Sequence, residues 1–217
     1  MTHSGPERPL LLLHGVPTGP KLWSRLSIPH VAPTLTGNLL TQVDQVAQSL
    51  TSETVVVGHD MGGVVAAMAA LVRPPRCVIL TGTALGPYWT AVRCTALPVA
   101  WRYFYARHAG KKFVAGSVAP HRAAEALAWF SGQDPLQMRA VARSMRPPAG
   151  LAHALSATVP VRLIWGERDR WYPQPVARAV ARATCAPLQF VPGGHFAMWE
   201  HPEAFSAALH GLLDALD

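Results

Sequence analysis

A chain of 217 residues, half of them hydrophobic, can bury one core with a modest insertion and is too short for two full domains. No stretch reaches the ~20 uncharged apolar residues of a membrane span, and Met1 to Pro9 hold no apolar run behind a basic stretch, so a cytoplasmic protein with no membrane partner is expected. Three cysteines, Cys77, Cys94 and Cys185, are an odd number without metal-ligand spacing, which argues against a disulfide scaffold and leaves reduced, packed thiols as the expectation.

The formal net charge of +7 sits in one place. Residues 83–157 carry nine lysines and arginines against Glu125 and Asp134, and the rest of the chain is balanced. These cations are dispersed among alanines and aromatics with no nucleic-acid reader motif, so no nucleic-acid partner is expected. A solvated surface or the steering of a small anion would each use them.

Along the chain, short apolar runs alternate with helix-length periodic stretches, the pattern of a mostly parallel sheet wrapped by helices. Strands are expected over residues 9–14, 29–34, 54–58, 77–81, 159–165 and 187–191, giving an α/β fold with a six-stranded sheet. Val55-Val56-Val57 and Cys77-Val78-Ile79-Leu80 are apolar without alternation, as central strands buried on both faces are. Helices are expected over 39–50, 61–72, 175–183 and 202–216. Residues 83–157 break the alternation with roughly three helical patterns in succession. One has Asp134 as N-cap, Pro135 in its first turn and Arg139, Arg143 and Arg146 on one face. Inserted between two strands, this stretch reads as a helical lid, with the core formed by residues 1–82 and 158–217.

Four motifs carry chemistry. In Gly58-His59-Asp60-Met61-Gly62-Gly63, a strand turns sharply into a helix of small residues, and such an elbow lifts its central side chain to the carboxyl end of the sheet in front of a helix N-terminus. The central residue is Asp60. A carboxylate there can attack an electrophilic carbon and form an alkyl ester that water then hydrolyses; taken alone, Asp60 could equally cap the helix. In Leu10 to Trp23 a buried strand runs into His14-Gly15-Val16-Pro17, where the amide of Val16 could pair with that of Met61 to bind an anion. His14 could be a ligand or base, although bracing the loop is the preferred reading.

The third motif, Leu163 to Asp169, ends a strand with a carboxylate suited to orient an imidazole; a surface ion pair with Arg168 or Arg170 is the competing role, and Glu167 is the fallback acid. In the fourth, Val191-Pro192-Gly193-Gly194-His195, one histidine sits on a glycine-rich loop after a strand, where a general base belongs. Asp60, Asp169 and His195 follow one another in the order nucleophile, acid, base.

Together these motifs resemble the α/β-hydrolase superfamily, and within it the aspartate-nucleophile branch of epoxide hydrolases and dehalogenases. The resemblance covers nearly the whole chain. It implies an α/β-hydrolase fold without the two opening strands, a cap over residues 83–157, and catalysis by Asp60, His195 and Asp169 with no cofactor and no metal. His14-Gly15-Val16-Pro17 is similar to the HGxP element of epoxide hydrolases, and the longer HGVPTGPKLW is also similar to haloalkane dehalogenases. Haloalkane dehalogenases hold halide with Asn at the position of Val16 and Trp at that of Met61, and fluoroacetate-type enzymes place arginines just after the nucleophile; none of these is present. An epoxide hydrolase is therefore the leading expectation and a dehalogenase the alternative. A lyase-type enzyme or a small-molecule-binding protein on the same fold is the reading of another class. Epoxide opening calls for proton donors, for which Tyr88, Tyr103 and Tyr105 are cap candidates, and Pro17 and His14 are further substrate-binding candidates. The expected partner is a small-molecule substrate, an anionic one suiting the basic cap, on a monomer or homodimer.

Overall fold

The computed structural model describes residues 9–15, 18–86, 118–131 and 147–216. Val16, Pro17, Tyr88, Tyr103, Tyr105, Cys94, the helix expected from Asp134 and most of the basic insert lie outside the described residues.

Strands β1 (Leu10–Leu13), β2 (Val55–His59), β3 (Cys77–Thr81), β4 (Val161–Gly166) and β5 (Leu188–Val191) stand side by side in chain order, all parallel. Helices α1 (Leu39–Ser49), α2 (Met61–Val72), α3 (Ala123–Ser131), α4 (Leu151–Thr158), α5 (Gln174–Ala183), α6 (Ala197–Glu200) and α7 (Pro202–Asp214) complete the described elements. When strand order advances steadily and every crossover is right-handed, the connecting helices fall on one face. Leu11, Leu13, Val56, Val78, Leu80, Leu163 and Trp165 accordingly pack with residues of α1, α2, α4 and α5. The alternate residues Leu10, Leu12, Val55, Val57, Ile79 and Ile164 pack on the other face with Trp23, Phe196, Trp199 and α7. Both faces of β1, β2 and β3 are covered, so Leu10–Leu13, Val55–Val57 and Cys77–Leu80 are apolar without alternation, and each fully buried Val or Leu contributes about 1.5–3 kcal/mol relative to exposure.

The expected sixth strand, residues 29–34, is reduced to a single bridge. Leu12 N–H donates to Val31 O and Val31 N–H to Leu10 O, each at 2.9 Å. Residues two positions either side of Val31 would supply the next donors of a parallel ladder, and these are Pro29 and Pro33, which have no N–H. The sheet therefore has five strands among the described residues. Helix α1 starts where Asn38 accepts a hydrogen bond from Thr41 N–H at 3.1 Å, an N-cap that the apolar periodicity did not reveal.

Two described parts of the insert touch the core. Helix α4 buries Leu151 and Leu155 among the residues of α1, α2 and α5. Ahead of α3, Ala119 N–H donates to Glu200 Oε1 at 2.8 Å, and the guanidinium groups of Arg25 and Arg122 lie 4.6 and 5.1 Å from the centre of the Trp199 ring. Among the described residues no helix is long and apolar enough to cross a membrane.

Candidate active site

The site is built at the carboxyl ends of β2, β4 and β5. Asp60 joins β2 to α2 with φ 51° and ψ −117°, a conformation that costs a non-glycine residue about 1–3 kcal/mol. Its backbone is held on both sides: Asp60 N–H donates to Thr81 O at 3.1 Å, and Gly63 N–H donates to Asp60 O at 3.0 Å. The turn closes only because Gly58 has no side chain, since a Cβ there would lie 2.5 Å from the Cα of Gly63. Although Asp60 stands at the N-cap position of α2, its side chain makes no capping hydrogen bond. The residue is 8 % exposed, with its carboxylate turned toward the ends of the strands, where Tyr172 O–H donates to Oδ1 at 3.3 Å. Met61 is the first residue of α2, so its N–H has no acceptor within the helix and lies at the positive end of the helix dipole.

Asp169 follows β4 in a tight turn. Its Oδ1 accepts from Trp171 N–H at 2.8 Å and Tyr172 N–H at 3.0 Å, and its Oδ2 accepts from His195 Nδ1 at 3.0 Å. Both oxygens are thus engaged, and the side chain is 1 % exposed. The competing surface ion pair is not formed: Arg168, Arg170 and the fallback acid Glu167 are exposed, while the partner of Asp169 is the imidazole. Because a carboxylate only accepts, Nδ1 carries the proton and Nε2 is left with a lone pair.

His195 sits on the loop after β5, 2 % exposed. The Trp171 ring stacks on it at 5.5 Å with a 28° interplanar angle, and the His59 ring lies 4.5 Å away on another side. Burial pushes the pKa of His195 down, but the charge of Asp169 and its hydrogen bond, helped by the charges of Asp60 and Glu200, outweigh burial and leave it raised above 6.5. His59 is held neutral, burial and the neighbouring His195 pushing its pKa well down; its Nε2 donates to His195 O at 2.9 Å and so fixes the loop from below. Glu200 fixes it from the side, Oε2 accepting from Gly194 N–H at 2.8 Å while Oε1 holds Ala119.

The structure therefore brings together Asp60, Asp169 and His195, residues far apart in the chain. His14 is a brace: Nε2 accepts from Leu35 N–H at 3.2 Å, Nδ1 donates to Gly15 O at 3.0 Å, and burial lowers its pKa despite that second bond. Gly15 fits against the carboxylate itself, with a Cβ there reaching within 2.5 Å of Asp60 Cβ and Oδ2. Val16, Pro17, Tyr88, Tyr103 and Tyr105 lie outside the described residues. Sequence reasoning missed Tyr172 and the braces His59 and Glu200. Tyr172 carried one signal, its place three residues beyond Asp169 on the loop leaving the carboxyl end of β4. An apolar groove of about 380 Å³ between α4 and α5, lined in part by Leu85, Ala152, Val176 and Val180, includes none of these polar groups. Among the described residues no cluster of three or more potential metal ligands occurs.

Solved structures of other proteins share this architecture. An esterase from Thermogutta terrifontis superposes with a TM-score of 0.79 at 22 % identity, over 96 % of this chain and 90 % of its own. A bromoperoxidase from Bacillus anthracis gives a TM-score of 0.79 at 16 % identity, over 97 % and 93 %. An alpha/beta hydrolase fold protein from Burkholderia ambifaria gives 0.69 at 24 % identity, over 94 % and 90 %. At these identities the likeness establishes the fold alone. No curated protein matches the sequence. Residues 10–208 match the alpha/beta hydrolase family, and since that span takes in every strand of the sheet together with Asp60, Asp169 and His195, the chain belongs to it.

Proposed function

We propose that this chain is a hydrolase that works through a covalent alkyl ester on Asp60, most simply an epoxide hydrolase. The observation that carries the reading is Asp60 itself, a buried carboxylate at a strained strand-to-helix elbow, whose side chain is turned away from capping the helix behind it. Attack by a carboxylate on an acyl carbon would give a mixed anhydride. Attack on a saturated carbon gives an ordinary ester that an activated water can hydrolyse. A carboxylate elbow thus suits epoxides or alkyl halides better than the carboxylic esters taken by serine enzymes.

In this reading Asp60 opens the substrate, with the Met61 and Val16 amides facing the developing charge and the tyrosines of the insert, Tyr88, Tyr103 and Tyr105, supplying the proton that an epoxide oxygen needs. His195, oriented and charge-stabilised by Asp169, takes a proton from water, which attacks the ester. Residues 83–157 act as the lid, anchored by α4 and by the Glu200 and Trp199 contacts, and their positive charge favours an anionic small molecule. The dehalogenase alternative shares every step except the leaving group.

The test is intact-mass spectrometry of His195→Gln after exposure to separate pools of epoxides, haloalkanes and haloacids. Without its base the second half-reaction stalls, and the expected result is an adduct on Asp60 whose mass identifies the pool. Turnover of one pool by the wild type with no adduct in the variant would overturn the carboxylate nucleophile.

A further inference from the structure

Tyr172 lies on the core rather than in the insert, and its hydroxyl is in contact with the carboxylate at the elbow. The ring is buried, 9 % exposed, and 5.8 Å from the His195 ring; the hydroxyl donates to Asp60 Oδ1 at 3.3 Å. The backbone holding it is over-determined. Tyr172 N–H donates to Asp169 Oδ1 at 3.0 Å, and Tyr172 O accepts from Trp165 Nε1 at 2.8 Å. One turn therefore positions both the carboxylate that orients His195 and the phenol that touches Asp60.

The two oxygens of Asp60 are not equivalent. Oδ2 is packed against Gly15, where even a Cβ would come within 2.5 Å, whereas Oδ1 faces the side on which Tyr172 and His195 stand. Attack through Oδ1, the oxygen on the side of the imidazole, is the assignment this geometry favours. In an in-line displacement the departing group leaves from the far side of the attacked carbon, and the attacking atoms start roughly 3–3.5 Å apart. The Tyr172 hydroxyl is placed on Oδ1, the attacking atom, in the free enzyme. It stays on Oδ1 once the ester has formed.

We propose that Tyr172 is a catalytic residue of the second half-reaction, donating its hydroxyl hydrogen bond to the Asp60 oxygen that carries the alkyl group and must leave. This rests on the ester reading above and goes beyond it. Water adds to the carboxyl carbon of the ester while one of its protons passes to His195 Nε2, and the carbonyl electron pair moves onto Oδ2. When that pair returns, the bond from the carboxyl carbon to Oδ1 breaks. Oδ1 departs with the alkyl group, steadied by the Tyr172 hydrogen bond, and takes the proton from His195 to become the product alcohol. The oxygen of water remains in the Asp60 carboxyl group, which ionises to start the next cycle. An alkoxide is a poor leaving group without a donor, and a phenol that ionises near ~10 is a stronger donor than water.

The experiment follows the Asp60 adduct by quenched-flow and intact mass with 4-nitrophenyl glycidyl ether, an epoxide that alkylates carboxylates, in the wild type, His195→Gln and Tyr172→Phe. The phenylalanine keeps both main-chain hydrogen bonds of the turn. In Tyr172→Phe the adduct is expected to form within about 3-fold of the wild-type rate and to decay about 10- to 100-fold more slowly, so that ester accumulates with His195 still in place. Decay at the wild-type rate, while His195→Gln still traps the adduct, overturns the role of Tyr172 and leaves the nucleophile standing. An equal fall in both rates assigns Tyr172 a structural role and also overturns the proposal. No adduct on Asp60 in His195→Gln with this epoxide or with the haloalkane and haloacid pools overturns the nucleophile and the proposal together.

Discussion

Replacing Gly15 by alanine should displace the reacting carboxylate with almost no change in chemistry elsewhere. The added Cβ would stand 2.5 Å from both Asp60 Cβ and Asp60 Oδ2, and ordinary contact begins at 3.4 Å, so one side must retreat by about 0.9 Å. Turning the Asp60 side chain relieves the clash with Oδ2 but not that with Cβ, which is fixed to a backbone pinned by Thr81 O and Gly63 N–H. The elbow or the His14 loop must therefore shift. A displacement of about 1 Å at a reacting group costs about 10²-fold in rate, and forcing a methyl into a packed site costs about 1–3 kcal/mol of stability. The assay is the rate of Asp60 adduct formation with 4-nitrophenyl glycidyl ether in the His195→Gln background, with thermal unfolding measured in parallel. Gly19→Ala is the control, because Gly19 is in extended backbone and a Cβ there meets nothing within 4 Å. The expected result is a loss of about 10²-fold for Gly15→Ala and none for Gly19→Ala. Equal rates in the two variants would refute the argument that Gly15 sets the position of Asp60.

Four further outcomes are expected. Asp169→Asn can keep its bonds to Trp171 and Tyr172 through the amide oxygen, but the NH2 then faces His195 Nδ1 and drives the proton to Nε2, so ester hydrolysis should slow by about 10²–10⁴-fold in single-turnover decay. In the free enzyme the charge and hydrogen bond of Asp169, helped by the charges of Asp60 and Glu200, outweigh burial and raise the pKa of His195, so an NMR titration of its imidazole should show a midpoint above 6.5; a midpoint below 6.5 would contradict the Asp169 pairing. Glu200→Gln turns one acceptor into a donor against Gly194 N–H or Ala119 N–H, which should cost about 1–3 kcal/mol and lower Tm by about 2–10 °C, measured by calorimetry; an unchanged Tm would mean that the clasp contributes nothing. Alkylation with iodoacetamide followed by peptide mapping should modify exposed Cys185 and spare Cys77, whose buried thiol is pushed up to about 11.

The elbow was legible because a strand-to-helix turn this tight leaves a local record: Gly58, Gly62 and Gly63 around Asp60, directly after Val55-Val56-Val57. The parallel sheet was legible for a similar reason, since β2 and β3 are covered on both faces and so cannot alternate. The strand expected at residues 29–34 failed on a local rule that outranked its apolar content, because Pro29 and Pro33 fall on the positions that would have to donate. Asp60 as nucleophile or helix cap was open from the motif alone, since aspartate suits both; the structure shows that its side chain makes no capping hydrogen bond. Asp169 was likewise open between His195 and its arginine neighbours, which extend into solvent while the carboxylate turns inward.

What the sequence determined by itself, then, is the set of short-range constraints: where strands and helices run, which turns need glycine, and the chain order of Asp60, Asp169 and His195. Tertiary structure decided how those pieces meet. Tyr172 reaches Asp60 across the sheet, His59 and Glu200 hold the His195 loop, and Oδ2 packs against Gly15 while Oδ1 meets Tyr172. Such contacts join residues distant in the chain, and they arise from the packing of whole elements, which local residue patterns do not encode.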